Sequence, residues 1–368
     1  MITADPGLEG VVVADTSLSD VDGERGRLVL RGHDVESLAG RVDFEAACGL
    51  LWHGALPDAA ALARLRAAIG RARVDAFAQL RSLGDALDAD DAMDALRAAA
   101  AHLRVGGLDA DAQKARITGA LAVFAAAWWR LRAGQAPVAP DAARGHADDL
   151  LRMAVDGDAA THAARAAALD AYLVTAADHG LNASTFTARV VASTQSDPVS
   201  AVVAALGALK GPLHGGAPGP VLAMLDAIGQ PAQAAGWIEH ELDAGRRIMG
   251  MGHRVYRVRD PRAAVLERAV ERLRAAGVST DRLALARAVE QVAQASLAGH
   301  RPDRRLAANV EFYTAVVLDA AGLPQPLFSA CFAVSRVAGW LAHVDEQRAH
   351  GRLIRPASRY VGPAVEAA

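Results

Sequence analysis

The 368 residues carry 39 Lys and Arg against 42 Asp and Glu with both signs interspersed, so the chain lacks the polybasic footprint that a nucleic-acid backbone demands. Hydrophobic residues reach 52% while aromatic ones stay at 4%, so the interior has to be assembled from Ala, Leu and Val, which favours closely packed helices. Residues 117–129, ITGALAVFAAAWW, form the longest greasy run and are about half of what a bilayer crossing needs, and the opening MITADPGLEG has no basic-then-apolar leader pattern. No membrane is expected, and the expected location is the cytoplasm. The length exceeds the usual single-core size, which predicts two lobes. Cys48 and Cys331 stand far apart in apolar surroundings, as reduced core thiols do.

In chain order, residues 11–32, VVVADTSLSDVDGERGRLVLRG, alternate polar and apolar side chains around Asp22-Gly23 and predict a β-hairpin. Asp43 is an N-cap for a short helix, FEAACGLLWHG, ending at Gly54 before Pro57. Apolar residues at three- and four-residue intervals predict amphipathic helices near 57–73, 84–104, 115–133, 145–155 and 162–177. Two more, 184–195 and 198–209, flank Asp197-Pro198 and lead into a loop rich in Gly and Pro. Beyond it, helices are predicted at 218–228, 231–247, 261–276, 281–298, 309–321 and 325–343. The fold class is therefore all-α with a short N-terminal β-hairpin. No repeat of about 20 to 50 residues recurs, which disfavours a solenoid. Residues 134–147 read as a surface linker too short to divide domains.

Four places concentrate chemistry. In KGPLHGGAPG, 210–219, four glycines surround His214, so a ligand can approach the backbone and the ring faces open space. A helix C-cap whose histidine bonds a carbonyl is the plainer alternative. In RRIMGMGHRVYRVRDPRA, 246–263, Gly250 and Gly252 make a tight turn before His253, and six arginines crowd around it. Such guanidiniums repel one another unless an anionic ligand or carboxylates of the fold compensate. Asp260 with Pro261 also reads as a helix start, and the glycines do not form a dinucleotide fingerprint. In AADHGLNASTFTAR, His179 and Asn182 stand at a break between helices, where a helix N-terminus would favour an anion. Finally, Glu311, Arg336 and Arg355 sit in or beside greasy segments, and charges buried there need partners.

These stretches together resemble the citrate synthase family. LSDVDGERGRLVLRGHDVESLA, DHGLNASTFTARVVAST, GPLHGGAPGPVL, GMGHRVYRVRDPRA, NVEFYTAVVLDAAGLP and FAVSRVAGWLAH followed by LIRPASRYVG match in family order over nearly the whole chain. The resemblance implies a two-domain helical fold, with 1–214 and 318–368 as the large domain and 215–317 as a small domain closing over a cleft. It implies a homodimer in which Arg355 is donated across the interface. It implies a tricarboxylic acid cycle acyltransferase that joins acetyl-CoA to oxaloacetate, or propionyl-CoA in a 2-methylcitrate synthase, with the CoA thioester as substrate and no separate cofactor or metal. By the same resemblance His214 polarises the thioester carbonyl, Glu311 removes a methyl proton, and His253 binds the ketone and supplies a proton. His179, Arg262, Arg336 and Arg355 bind substrate. Arg257 and Arg304 meet CoA phosphates, and Gly250, Met251, Gly252 and Arg254 belong to the adenine-recognition loop.

The sequence also departs from the family pattern. Glu311 replaces the usual aspartate, one methylene shorter, and a displacement of about 1 Å at the reacting atoms costs on the order of 100-fold in rate. Gly180 stands where a glutamate is common, Pro218 where asparagine is frequent, and Ala357 where arginine is frequent. A non-catalytic member that binds an acyl-CoA or a carboxylate is the alternative raised by Glu311. A metal held by His179, His214, His253 and Glu311 is a further reading of the same residues.

Overall fold

The computed structural model describes residues 7, 8, 10–214, 218–252, 256, 258–300 and 306–363. The sequence-derived sites His253, Arg254, Arg257 and Arg304 lie outside the described residues. Near the N-terminus, β1 (Ser19–Asp22), β2 (Arg27–Leu30) and β3 (His33–Asp34) form an antiparallel sheet in the order β1-β2-β3. The register pairs Asp22 with Arg27, so the hairpin loop holds four residues rather than a two-residue Asp-Gly turn. The tighter turn comes next, at Arg31 and Gly32, whose φ of 48° and 86° join Leu30 to His33.

Fifteen α-helices follow among the described residues. The first group is α1 (Val35–Leu38), α2 (Phe44–His53), α3 (Ala59–Gln79), α4 (Ala92–Ala100), α5 (Ala110–Arg132), α6 (His146–Ala154), α7 (Ala159–Ala176), α8 (Ala183–Ser193) and α9 (Pro198–Lys210). The second is α10 (Pro218–Ile228), α11 (Ala234–Asp243), α12 (Pro261–Ala275), α13 (Asp281–His300), α14 (Val310–Ala320) and α15 (Phe328–His350). Acidic and amide side chains start many of them. Asp43, Asp58, Asp91, Asp109, Asp158, Asp197, Asp260 and Asn309 each accept a backbone N–H of the turn they cap. Asp91 explains why the helix predicted over 84–104 begins only at Ala92. The segment predicted as 231–247 is a 3-10 turn, Pro231–Gln233, followed by a helix that stops at Asp243.

The last helix corrects a second expectation. The segment Gln325–His350 is longer than the 117–129 run and apolar enough to cross a membrane, but 94% of its apolar window is buried inside the fold. It is the central post of the core, packed against α2, α5, α7, α8 and α9. Residues 134–147 lie on the surface but are firmly held. The buried Arg73 donates to the carbonyls of Asp141 and Arg144 and pairs with the buried Asp149 at 2.8 Å. Cys48 and Cys331 are buried free thiols, and burial pushes the Cys331 thiol up to about 12, so it stays protonated and inert.

Candidate active site

Three parts of the fold converge on one cleft of about 760 Å3: the break between α7 and α8, the loop after α9, and the start of α14 with Arg262 of α12. His179, His214, Gly252, Arg262, Glu311 and Arg336 all line it, although up to 157 residues of sequence lie between them. Leu8, Val11, Val13, Val21, Phe186 and Phe332 supply the apolar part of the lining.

His214 is the side chain with the most defined role. Its Nε2 lies 2.8 Å from Ser184 Oγ and accepts from the Ser184 backbone N–H at 3.3 Å. A backbone N–H can only donate, so Nε2 is the acceptor and the ring proton is assigned to Nδ1. Ser184 is itself fixed, with Trp340 Nε1 donating to its Oγ and Asn182 Oδ1 beside it at 2.8 Å. Burial, helped by the positive charge of Arg336, depresses the imidazole to about 4, so the ring is neutral at physiological pH. His214 is thus a neutral ring whose Nε2 is engaged by Ser184 rather than by a carbonyl, with Nδ1–H left as a hydrogen-bond donor.

Glu311 presents the complementary group. Asn309 caps α14 by accepting the Glu311 N–H at 3.0 Å, which fixes the base of the side chain. The carboxylate makes no hydrogen bond and no ion pair among the described residues. Burial raises it to about 7, against the opposing pull of Arg262 and Arg336. A carboxyl tuned to that range accepts a proton at neutral pH far better than an ordinary one.

The arginines complete the electrostatics. Arg336, 1% exposed, donates Nε to the Ala176 carbonyl at 2.7 Å and lies over the Phe332 ring at 4.7 Å. It has no carboxylate partner among the described residues, and burial pushes the guanidinium down to about 10 while leaving it protonated at neutral pH. Arg262 is held by Asp260 through two hydrogen bonds of 3.0 and 2.7 Å, and Asp260 also accepts the Val310 N–H. Two other described arginines of that stretch, Arg246 and Arg259, are already paired, while Arg247 is exposed. Arg246 pairs with Glu241, and Arg259 with Glu267 and Glu290, so carboxylates of the fold do part of the compensation that the sequence assigned to an acidic ligand.

The turn at 250–252 is stitched to the start of α14. Gly252 N–H donates to the Ala307 carbonyl, Asn309 N–H to the Gly250 carbonyl, and Asn309 Nδ2 to the Gly252 carbonyl. Gly250 and Gly252 have φ of 73° and 85°, and a Cβ on either would fall 2.9 Å from Phe312 or Leu306. His179, in the α7–α8 break, bonds Tyr256 through Nε2 at 3.1 Å. Arg355 is exposed and absent from the lining of its own chain's cleft. Sequence reasoning missed Ser184, Trp340, Phe332 and Tyr256. The one signal for them was their place inside the quoted motifs. Among the described residues, the one His and carboxylate group close enough to share an ion is Glu239, Asp243 and His300, exposed on α11 and α13 and outside the cleft.

Residues 7–357 match a family model described as citrate synthase, C-terminal domain. A relative named putative citrate synthase 2 from Mycobacterium tuberculosis is 42% identical, covering 97% of this chain and 93% of its own. A 2-methylcitrate synthase from the same species is 38% identical over 97% and 90% of the two chains. Among solved structures, citrate synthase from Thermotoga maritima superposes with a TM-score of 0.85 at 32% identity, covering 99% of this chain and 98% of that one. The Thermoplasma acidophilum citrate synthase, described as a ternary complex with carboxymethyl coenzyme A and oxaloacetate, gives 0.83 at 28% identity, covering 99% and 98%.

Proposed function

Because this chain belongs to the citrate synthase family, we propose that His214 and Glu311 are the donor and base that enolise an acyl-CoA thioester in its cleft. The chain is a transferase of the citrate synthase type, joining acetyl-CoA to oxaloacetate in a Claisen-type condensation that yields citrate and CoA. In this reading the Glu311 carboxylate takes a proton from the acyl methyl while His214 Nδ1–H bonds the thioester carbonyl oxygen. Charge that develops on that oxygen meets a donor already in place, and the proton leaves to a base already near the working pH. The enol carbon then forms a bond to the ketone carbon of oxaloacetate, whose oxygen takes a proton from His253. Water cleaves the resulting citryl thioester and CoA departs.

Arg336 and Arg262 suit the dicarboxylate. Each spends part of its fork on the protein, Arg336 on a carbonyl and Arg262 on Asp260, and keeps the remaining N–H groups for a ligand. The observation that carries the proposal is that His214, Glu311, Arg262 and Arg336 line one cleft, with a neutral imidazole whose Nε2 is engaged by Ser184 and a carboxyl near pKa 7 that makes no hydrogen bond or ion pair among the described residues. Closure of a small domain, residues 215–317, over the cleft would bring Arg257, Arg304 and the 250–254 turn to the CoA phosphates and adenine.

Residues 351–363 have no secondary structure and expose Leu353, Tyr360 and Val361. These exposed apolar side chains support a homodimer in which the segment packs against a second copy and Arg355 reaches the partner's cleft. A cytoplasmic place in the tricarboxylic acid cycle accords with the reaction. The 38% identical 2-methylcitrate synthase keeps propionyl-CoA as a second donor. One methylene in an apolar pocket is worth only about 1–3 kcal/mol. The test is CoA release with oxaloacetate and each thioester. Release from acetyl-CoA supports the main reading and faster release from propionyl-CoA the second. Tight thioester binding without release leaves the binding-only alternative and refutes both.

A further inference from the structure

The segment that carries His179 is anchored by residues that neither the motifs nor the reaction assigns. Ser19 Oγ, on β1, donates to Asp178 Oδ2 at 2.5 Å and accepts the Gly180 N–H at 2.9 Å, so it holds the side chain before His179 and the backbone after it. Asp178 is fully buried. Burial opposes its ionisation, but His343 and Arg336, together with the Ser19 hydroxyl, hold it below the usual carboxylate range. His343 accepts from Arg189 Nη1 through Nδ1 at 3.0 Å, which places its own proton on Nε2, 3.3 Å from Asp178. Arg189 continues to Gln347 and Glu346, and Glu346 Oε1 receives both the N–H and the hydroxyl of Ser17. The bonds therefore close a ring from the hairpin through α8 and α15 to the α7–α8 break and back to the hairpin.

We propose that Ser19 is a positioning residue for His179, acting through Asp178 and Gly180, so that the N-terminal hairpin is part of the dicarboxylate-binding apparatus. The inference rests on the assignment of His179 to oxaloacetate. Ser19 is placed to act on one substrate only. With its hydroxyl removed, Asp178 loses its shortest bond and the Gly180 N–H loses its acceptor, and both losses fall on the residues that flank His179. His214 and Glu311 hang from other elements, α8 with α9 and α14, and keep their partners.

The test is Ser19→Ala, assayed with each substrate varied in turn. We expect KM for oxaloacetate to rise about tenfold, the factor produced by losing one hydrogen bond of ordinary net worth. KM for the acyl-CoA should stay at the wild-type value, and Ser19→Thr, which keeps the hydroxyl, should restore oxaloacetate binding. An unchanged oxaloacetate KM, or an equal loss for both substrates, overturns the inference. Ser19→Cys keeps the volume and weakens both bonds, so it gives the same comparison in milder form where Ser19→Ala does not fold. His179→Ala separates the two levels. If it raises the oxaloacetate KM and Ser19→Ala does not, only the positioning role fails. If it leaves that KM unchanged, the assignment of His179 fails first.

Discussion

Replacing Glu311 by Gln keeps the shape of the side chain and removes a carboxyl that can both bind a proton and lose it near neutrality. With a carboxyl at about 7, the ionised fraction is about one-tenth at pH 6, one-half at pH 7 and nine-tenths at pH 8. The rate constant kcat/KM for oxaloacetate, which reports the free enzyme, should therefore rise about tenfold from pH 6 to pH 8. His214, at about 4, adds no inflection in that window. In kcat the inflection should move upward, because bound oxaloacetate neutralises the Arg262 and Arg336 charges that now hold the Glu311 carboxyl down. The same shift has a stability consequence. A carboxyl whose folded pKa lies above its ordinary 4.5 binds its proton more tightly in the native state, so its ionisation weakens the fold as pH rises through that interval. Glu311→Gln should thus lose turnover yet gain on the order of 1–3 kcal/mol of stability at pH 8, with the gain vanishing below about pH 4.5. Loss of thioester absorbance and denaturant unfolding at matched pH measure the two effects. A flat kcat/KM between pH 6 and 8, or a variant that still turns over, would refute the assignment of the base.

Two further outcomes follow, one from the packing at Gly339 and one from the proposed homodimer. Gly339 N–H donates to the Ala177 carbonyl, and a Cβ at Gly339 would fall 2.5 Å from both that oxygen and Asp178 Oδ1. Gly339→Ala should therefore cost about 1–3 kcal/mol by overpacking and raise the oxaloacetate KM, read by thermal unfolding and kinetics together. For the exposed Arg355, mixing Arg355→Ala with Glu311→Gln chains should regain activity through mixed dimers that hold one intact cleft. No gain on mixing would place Arg355 outside the partner's site.

The helices were legible because their signals are local. Asp43, Asp197 and Asp260 cap where the sequence places caps, and Asn182 starts α8 at the predicted break. The errors sit where a local pattern runs through a stop that tertiary contacts set. Apolar spacing carried the 84–104 prediction across the turns before Asp91, and Gly351 was not read as the end of α15, whose last turn is polar. The cleft was legible only through the family resemblance. No periodicity brings His179, Arg262 and Arg336 together, and Ser19 meets Asp178 across 159 residues of chain. The contacts that tune the site, Ser184 on His214 and Phe332 beneath Arg336, are choices among ordinary residues that carry no sequence signal of their own.

The stitching of the 250–252 turn onto Ala307 and Asn309 ties that turn mechanically to the start of α14. A ligand that grips the turn pulls on the cap of α14, and Glu311 sits on the first turn of that helix. In the reading proposed above, recognition of the nucleotide handle and delivery of the proton acceptor would then travel on the same piece of backbone. A thioester shorn of its nucleotide would reach the cleft with the acceptor left behind, and would lose turnover more than affinity.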